Sequence, residues 1–485
     1  MNMHVGLDIT VGAHVIQALD YHGRMHRALS ILLILFLANI ALADASTRRP
    51  NIIVIITDDA GYADFGFTGC TDFPTPNIDR LAAEGVVCTD GYVSASVCSP
   101  SRAGLMTGRY QQRFGHEMNL LAGTTQYATD GLPLQERTIA DRLRALGYRT
   151  GALGKWHLGV TGSHQPLSRG FDEYVGCLSG SRSFWYYDEI PPHGKGVMRQ
   201  SEPVHELPGT YFTDLLADEA TSFIMRNGAD PFLLYLSFTA VHTPMHAQEQ
   251  DLETFKDITP VRRRKLAAMT ASLDRAVGQV LETLSVMGLS DDTLIMFVND
   301  NGGATNNASS NGIYRGMKGS KWEGGIRVPF IVAWPGHLPA GVDYEQPVST
   351  LDILPTAVAA AGGTPDASID GVNLLPFLDG DEAGPPHERL FWRRSVAAAV
   401  REGDWKLIRV EGSEPMLFNL ADDPSETTNL ASGYPQRVAA MSASLVDWES
   451  ELAEPRWGHA VRYMKNQKSK HQMDVQGRDQ ERKYP

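Results

Sequence analysis

Residues 51–59 read Asn51-Ile52-Ile53-Val54-Ile55-Ile56-Thr57-Asp58-Asp59, an apolar, β-branched run that ends abruptly in two carboxylates. Side chains of a strand alternate between faces, so a run that is apolar at both parities has no solvent side. It predicts a strand buried in a parallel sheet. Similar runs recur at 231–238 (PFLLYLSF), 293–298 (TLIMFV) and 328–334 (VPFIVAW), with a shorter one at 148–153. Between them lie stretches with helix punctuation: Thr75-Pro76 opens one that Gly85 closes, Thr138 opens another that Gly147 closes, and longer ones cover 211–226 and 262–287. Strands alternating with helices define an α/β domain built on a large, mostly parallel sheet sandwiched by helices.

At 485 residues the chain exceeds what a single core usually holds, and its texture changes after about residue 376. Short segments at 390–393, 397–401, 405–409 and 416–419, then a helical stretch at 436–452, predict a small antiparallel sheet with one helix. The expected organisation is a main domain over 48–375, a C-terminal subdomain over 376–460 and a polar tail over 461–485.

The net charge of -14 argues against a nucleic-acid partner and against long-range steering of an anionic substrate. An anion site must then be a local basic cluster in an acidic body. Near the N-terminus, Arg24, His26 and Arg27 precede an apolar run over 28–43 with small-x-small patterns at Ala41-Leu42-Ala43 and Ala43-Asp44-Ala45. This reads as a signal peptide over 1–43, with Met25 as a candidate true start. The run falls short of the ~20 residues a membrane span needs, so the expectation is a periplasmic or secreted chain with no stable span. The four cysteines match neither a disulfide framework nor a zinc pattern. Cys70, Cys88 and Cys177 read as buried small hydrophobes or one bridge.

Ligands of open α/β sheets bind beyond the carboxyl ends of the strands. There the sequence places Asp58-Asp59, then Lys155 and His157, then His242, then Asp300-Asn301. Three carboxylates and an amide form an all-oxygen set that suits calcium or magnesium and not zinc. For each Asp alone, a turn or a helix cap is the alternative. The segment Cys98-Ser99-Pro100-Ser101-Arg102 is the sharpest local pattern. Pro100 suits a first helical turn and Gly108 a helix end, which puts Cys98 at a helix N-terminus, where thiols acidify and anions bind. A buried structural residue and a cysteine nucleophile with a nearby base and no metal are the other readings.

Cys98-x-Pro100-Ser101-Arg102 followed by Thr107-Gly108-Arg109 resembles the signature of the type I sulfatase family. Further blocks resemble that family in order: Asp58-Asp59-x-Gly61-Tyr62, Gly154-Lys155-Trp156-His157-Leu158-Gly159, His242-x-Pro244, Asp300-Asn301-Gly302, Lys318-Gly319-Ser320-Lys321 through Pro329, and Leu417-Phe418-Asn419-Leu420 with Asp423-Pro424-x-Glu426. The likeness covers about residues 48–455. It implies an alkaline phosphatase-like fold and a sulfuric ester hydrolase acting on a sulfated carbohydrate or an aryl sulfate.

The resemblance also implies that Cys98 is oxidised to formylglycine by a formylglycine-generating or anaerobic maturase enzyme. The hydrated aldehyde would attack sulfur, and loss of its second hydroxyl proton would release sulfate. Asp58, Asp59, Asp300, Asn301 and residue 98 itself would hold calcium, with magnesium the lesser fit. Arg102 would support the diol, and His157 would help deprotonate it. Lys155, His242 and Lys321 fall where relatives contact sulfate or protonate the leaving oxygen. Ser179, Ser181 and Ser183 are candidates for a further polar contact, and the aromatic run 184–187 for sugar stacking or for core. Rival readings are a phosphonate or phosphate ester hydrolase of the same superfamily and a sulfated-glycan-binding pseudoenzyme.

Overall fold

The computed structural model describes residues 49–120, 130–185, 196–205 and 209–457, so the expected signal peptide and polar tail lie outside the described residues. The strand Asn51–Thr57 is buried along its whole length. It lies inside a ten-stranded sheet, parallel to Phe232–Ser237 on one side and to Thr293–Asn299 on the other. Arg149–Lys155 and Glu173–Cys177 continue the parallel set beyond Phe232–Ser237. Beyond Thr293–Asn299 the direction reverses, because Phe330–Ala333 pairs antiparallel. The sheet is therefore mixed and mostly parallel, as the repeated two-faced apolar runs predict.

Alternation along Asn51–Thr57 sorts its side chains into two cores. Ile53 and Ile55 pack with Ile78, Leu81, Leu216 and Leu273, from the helices Pro76–Ala83, Phe212–Asn227 and Val261–Val286. Ile52, Val54 and Ile56 pack with Ala103, Leu143 and Ile353, from the helices Cys98–Thr107, Ile139–Ala145 and Ile353–Ala360. Burying such aliphatic side chains stabilises the fold by roughly 1.5–3 kcal/mol each. The helix Ile139–Ala145 opens on a capping box between Thr138 and Asp141. The helix Pro76–Ala83 is capped from a distance, since Asp274 accepts from the backbone N–H of Asn77 and Ile78.

A separate four-stranded antiparallel sheet orders Arg389–Arg394, Ala397–Glu402, Trp405–Val410 and Met416–Asn419. One face packs Val400, Leu407 and Leu417 against Met441, Leu445 and Trp448 of the helix Pro435–Ser450. The other packs Trp392, Ile408 and Phe418 against Tyr92, Trp322 and Ile326. A buried charge cluster reinforces that contact: the Lys406 ammonium lies 2.7 Å from Glu323 and 2.8 Å from Glu426. Cys70, Cys88 and Cys177 are all free, so no bridge forms among them; Cys88 and Cys177 are buried and Cys70 is partly exposed. Among the described residues, no helix is long and apolar enough to cross a membrane.

Candidate active site

Asp58 and Asp59 follow directly on Asn51–Thr57, and Asp300 and Asn301 on the adjacent Thr293–Asn299. Lys155 ends Arg149–Lys155, and His242 follows Phe232–Ser237 after a short loop. Parallel pairing brings all these strand ends to one edge. There the helix Cys98–Thr107 begins at Cys98, after Val97 in extended conformation, and closes on Gly108 in the left-handed region. Every residue of this helix is buried.

The Cys98 sulfur lies 2.9 Å from the Lys318 ammonium and 3.9 Å from an Asp58 carboxylate oxygen. Burial pushes its thiol up to about 11, against the pull of Lys155 and Lys318 and with added repulsion from Asp300 and Asp58. The acidification expected of a helix N-terminus is not found here, because loss of hydration on burial is the dominant effect and outweighs both lysines. A resting thiolate nucleophile does not fit this setting.

Each carboxylate meets a cation. Lys155 Nζ stands 2.6 Å from Asp58 Oδ2, Lys318 Nζ 2.5 Å from Asp59 Oδ1, and Arg102 Nε 2.9 Å from Asp300 Oδ2. Burial would raise Asp59, but Lys318, His242 and Lys155 hold it well below the usual carboxylate range. Asp300 is pushed up by burial and by the charge of Asp58. One ligand atom each from Asp58, Asp59, Cys98 and His242 lie within 4.8 Å of one another. Asp300, drawn toward Arg102, stands outside that tightest group. Asp300 Oδ1 and Asn301 Oδ1 are nevertheless buried with no hydrogen-bond partner. Unpartnered buried oxygens beside crowded carboxylates are what a hard cation satisfies, so the residues fit calcium or magnesium.

Two residues here carry positive φ without being glycine, Asp59 at 64° and His157 at 59°. Such backbone costs on the order of 1–3 kcal/mol and persists where its surroundings over-determine it. Asn307 Nδ2 and Ser309 Oγ donate to the Asp59 carbonyl at 2.9 and 2.7 Å, and Ser99 Oγ donates to the His157 carbonyl at 2.7 Å. His157 Nε2 lies 3.4 Å from the Leu120 carbonyl, which can only accept, so the ring proton is assigned there. Its Nδ1 is then a bare acceptor, buried and unpartnered. Burial and the nearby Lys155 and Arg102 hold this ring neutral. His242 is arranged in the opposite sense, with Nδ1 2.6 Å from the Thr243 carbonyl and Nε2 facing Asp59 at 3.5 Å.

The lysine expected at the site from the 318–329 block is Lys321. Lys321 Nζ donates to Ser96 Oγ at 3.2 Å, whereas Lys318 is the lysine against Cys98 and Asp59. Both lie in the same sequence block, and nothing in their spacing separates them. Ser179 and Ser183 are buried and Ser181 is partly exposed; Ser183 Oγ lies 3.3 Å from His246 Nδ1. Gly180 between them lies against His157: a Cβ there would sit 2.4 Å from the ring. Phe184 is buried and stacks on Tyr211 rather than standing free, which favours core for that part of the aromatic run.

Residues 50–363 match the sulfatase family model, and residues 317–450 match the model of the N-sulphoglucosamine sulphohydrolase C-terminal region. The chain belongs to the sulfatase family. As a sulfatase it hydrolyses sulfate esters. Its sequence is 33% identical to human arylsulfatase A over 459 residues, covering 83% of this chain and 86% of that protein. It is 35% identical to mouse N-acetylgalactosamine-6-sulfatase over 390 residues, covering 75% of this chain and 73% of that protein. The sulfatase fold also resembles the crystal structure of Ps i-CgsB, with a TM-score of 0.81 and 36% identity over 89% of this chain and 98% of that one. A second structure of Ps i-CgsB contains k-i-k-neocarrahexaose.

Proposed function

We propose that this sulfatase removes sulfate from a carbohydrate, using an aldehyde derived from Cys98 and a calcium ion held by Asp58, Asp59, Asp300 and Asn301. The observation that carries this reading is the convergence of Cys98 and the carboxylates on one buried strand edge, with two orphaned oxygens. A formylglycine hydrate would supply the nucleophile, and a bound hard cation would supply the charge that favours its ionised form at neutral pH.

The protein's own groups divide the remaining work. Lys155, Lys318 and Arg102 form the local basic cluster that an acidic chain needs in order to accept a sulfate group, whose oxygens gain charge during transfer. Lys318 takes the part first expected of Lys321. His157 Nδ1 accepts a proton from the hydrated side chain at position 98, and His242 Nε2 serves the leaving oxygen.

The carbohydrate substrate is supported by the relatives, one named for N-acetylgalactosamine and one holding a neocarrahexaose. The apolar run 28–43 supports export, and with it access to a maturation enzyme. Defined sulfated oligosaccharides, an aryl sulfate, an aryl phosphate and a phosphonate monoester, each followed by release of its anion, test the reading together. Desulfation of at least one oligosaccharide is expected, with the phosphorus esters far poorer. Preference for the phosphorus esters, or turnover of the aryl sulfate alone, defeats it.

A further inference from the structure

Behind His157 lies a buried polar chain that the steps above leave without a task. Ser99 follows Cys98 directly, and its hydroxyl donates to the His157 carbonyl at 2.7 Å. A hydroxyl has one proton, so the second contact of Ser99 Oγ, with His116 Nε2 at 2.7 Å, must be donated by the imidazole. That assignment leaves His116 Nδ1 bare, and it is buried with no partner. Burial pushes His116 down to about 3, with Arg456 and His164 adding repulsion, so the ring is neutral. Ser99 and His116 are both fully buried.

A histidine kept only for packing would be better replaced by an apolar ring, which has no nitrogen to desolvate. Its neighbours along the chain tie the same segment to Ser99 and to His157. Asn119 Oδ1 accepts from the Ser99 backbone N–H at 3.0 Å, and the Leu120 carbonyl faces His157 Nε2. Trp457 packs edge-on against His116, with ring centroids 4.6 Å apart, and donates Nε1–H to the Met118 carbonyl at 2.8 Å. The segment 116–120 therefore holds His157 twice, at its carbonyl through Ser99 and at its ring through Leu120.

We infer that His116, acting through Ser99, is a positioning residue that holds His157 in its left-handed backbone and so aims Nδ1 at the reacting side chain. This rests on the reading of His157 as the proton acceptor. A misplacement of about 1 Å can cost on the order of 100-fold in turnover. His116→Ala is accordingly expected to lower kcat for an aryl sulfate by about 10- to 100-fold while KM moves by less than about threefold. His116→Gln, whose amide still donates to Ser99, is expected to recover most of that loss.

The decisive measurement places His116→Ala in a His157→Ala background, with turnover expressed per mole of chain modified at residue 98 and melting temperatures recorded for each variant. If His116 acts through His157, the second substitution changes kcat by less than about twofold, because the two are not independent. A full multiplicative loss in that background overturns the inference, as does a folded His116→Ala within about twofold of wild type. Ser99→Ala breaks the same link from the other side and decides the matter if His116→Ala does not fold; unchanged kcat there overturns it equally. Wild-type kcat in His157→Ala alone would instead remove the proton-acceptor reading beneath it.

Discussion

The Lys318 ammonium lies 2.9 Å from the Cys98 sulfur and 2.5 Å from Asp59, a contact across 220 residues of chain that ties the reacting side chain to the acidic cluster. Its backbone is held in place on both sides: Lys318 N donates to the Gly303 carbonyl and Gly319 N to the Ser96 carbonyl. Gly319 has a φ of 96°, which lets the chain turn the Lys318 side chain inward.

Lys318→Ala is expected to cost about 100- to 1000-fold in kcat/KM for an aryl sulfate, as loss of a donor to developing charge does elsewhere. Lys321→Ala, whose ammonium is engaged by Ser96, should cost much less. Steady-state kinetics of the two variants side by side decide between them, and a larger loss at Lys321 would return the role to that residue.

Cys98→Ala should abolish turnover with little loss of stability, since the thiol is a small buried group whose removal leaves Lys318 paired with Asp59. Peptide mass spectrometry of wild-type protein made in a host with maturation machinery should find the thiol replaced by an aldehyde. Activity near wild type in Cys98→Ala, or an unmodified thiol in fully active enzyme, would rule this out.

Calcium should raise the melting temperature of chelator-treated protein and restore its turnover. Binding to the folded state alone stabilises by about 2.7 kcal/mol at a hundredfold excess over Kd. Asp300→Asn should weaken this response, because it removes a carboxylate charge beside a buried oxygen that lacks a partner. Scanning calorimetry across a calcium titration measures both effects, and an unchanged melting temperature speaks against the site.

His387 Nε2 contacts both oxygens of buried Asp352, at 2.8 and 2.9 Å. Burial would lower this histidine, but Asp352 outweighs it and the net shift is upward. A histidine raised in the folded state stabilises fully below its unfolded value of about 6.5, and that gain is lost as pH rises through the folded value. The melting-temperature gap between wild type and His387→Gln should thus be widest at mildly acidic pH and shrink on the alkaline side. A gap that grows with pH contradicts the assignment.

Lys406→Met should destabilise the protein by about 3–5 kcal/mol, because it strands Glu323 and Glu426 without their shared cation in a buried site. Glu323 lies five residues beyond Lys318, so turnover should fall as well. Denaturant unfolding gives the first quantity and kinetics the second.

Much of this protein is one-dimensional information. A strand buried on both faces has to be apolar at every position, so Asn51–Thr57, Phe232–Ser237 and Thr293–Asn299 declare a parallel sheet without any knowledge of their partners. Because such strands deliver whatever follows them to one edge, Asp58, Asp59, Asp300 and Asn301 were legible as a group. The two-residue strands Met198–Arg199 and Glu202–Pro203 were not, since two residues carry no period.

What required the tertiary structure is everything that depends on which atoms share a volume. Lys318 and Lys321 are equivalent as letters, and only the turn at Gly319 with its anchors on Gly303 and Ser96 separates them. The Cys98 thiol looked acidified from its helix position alone, until burial, outweighing two lysines from distant parts of the chain, reversed the balance. His116 belongs to no pattern along the chain; its place beside Ser99 and Trp457 comes from folding residues more than 300 positions apart into one core. Composition and periodicity report what a segment must avoid, namely water on an apolar face. Charge, proton position and distance are properties of neighbours, and neighbours exist only once the chain has closed on itself.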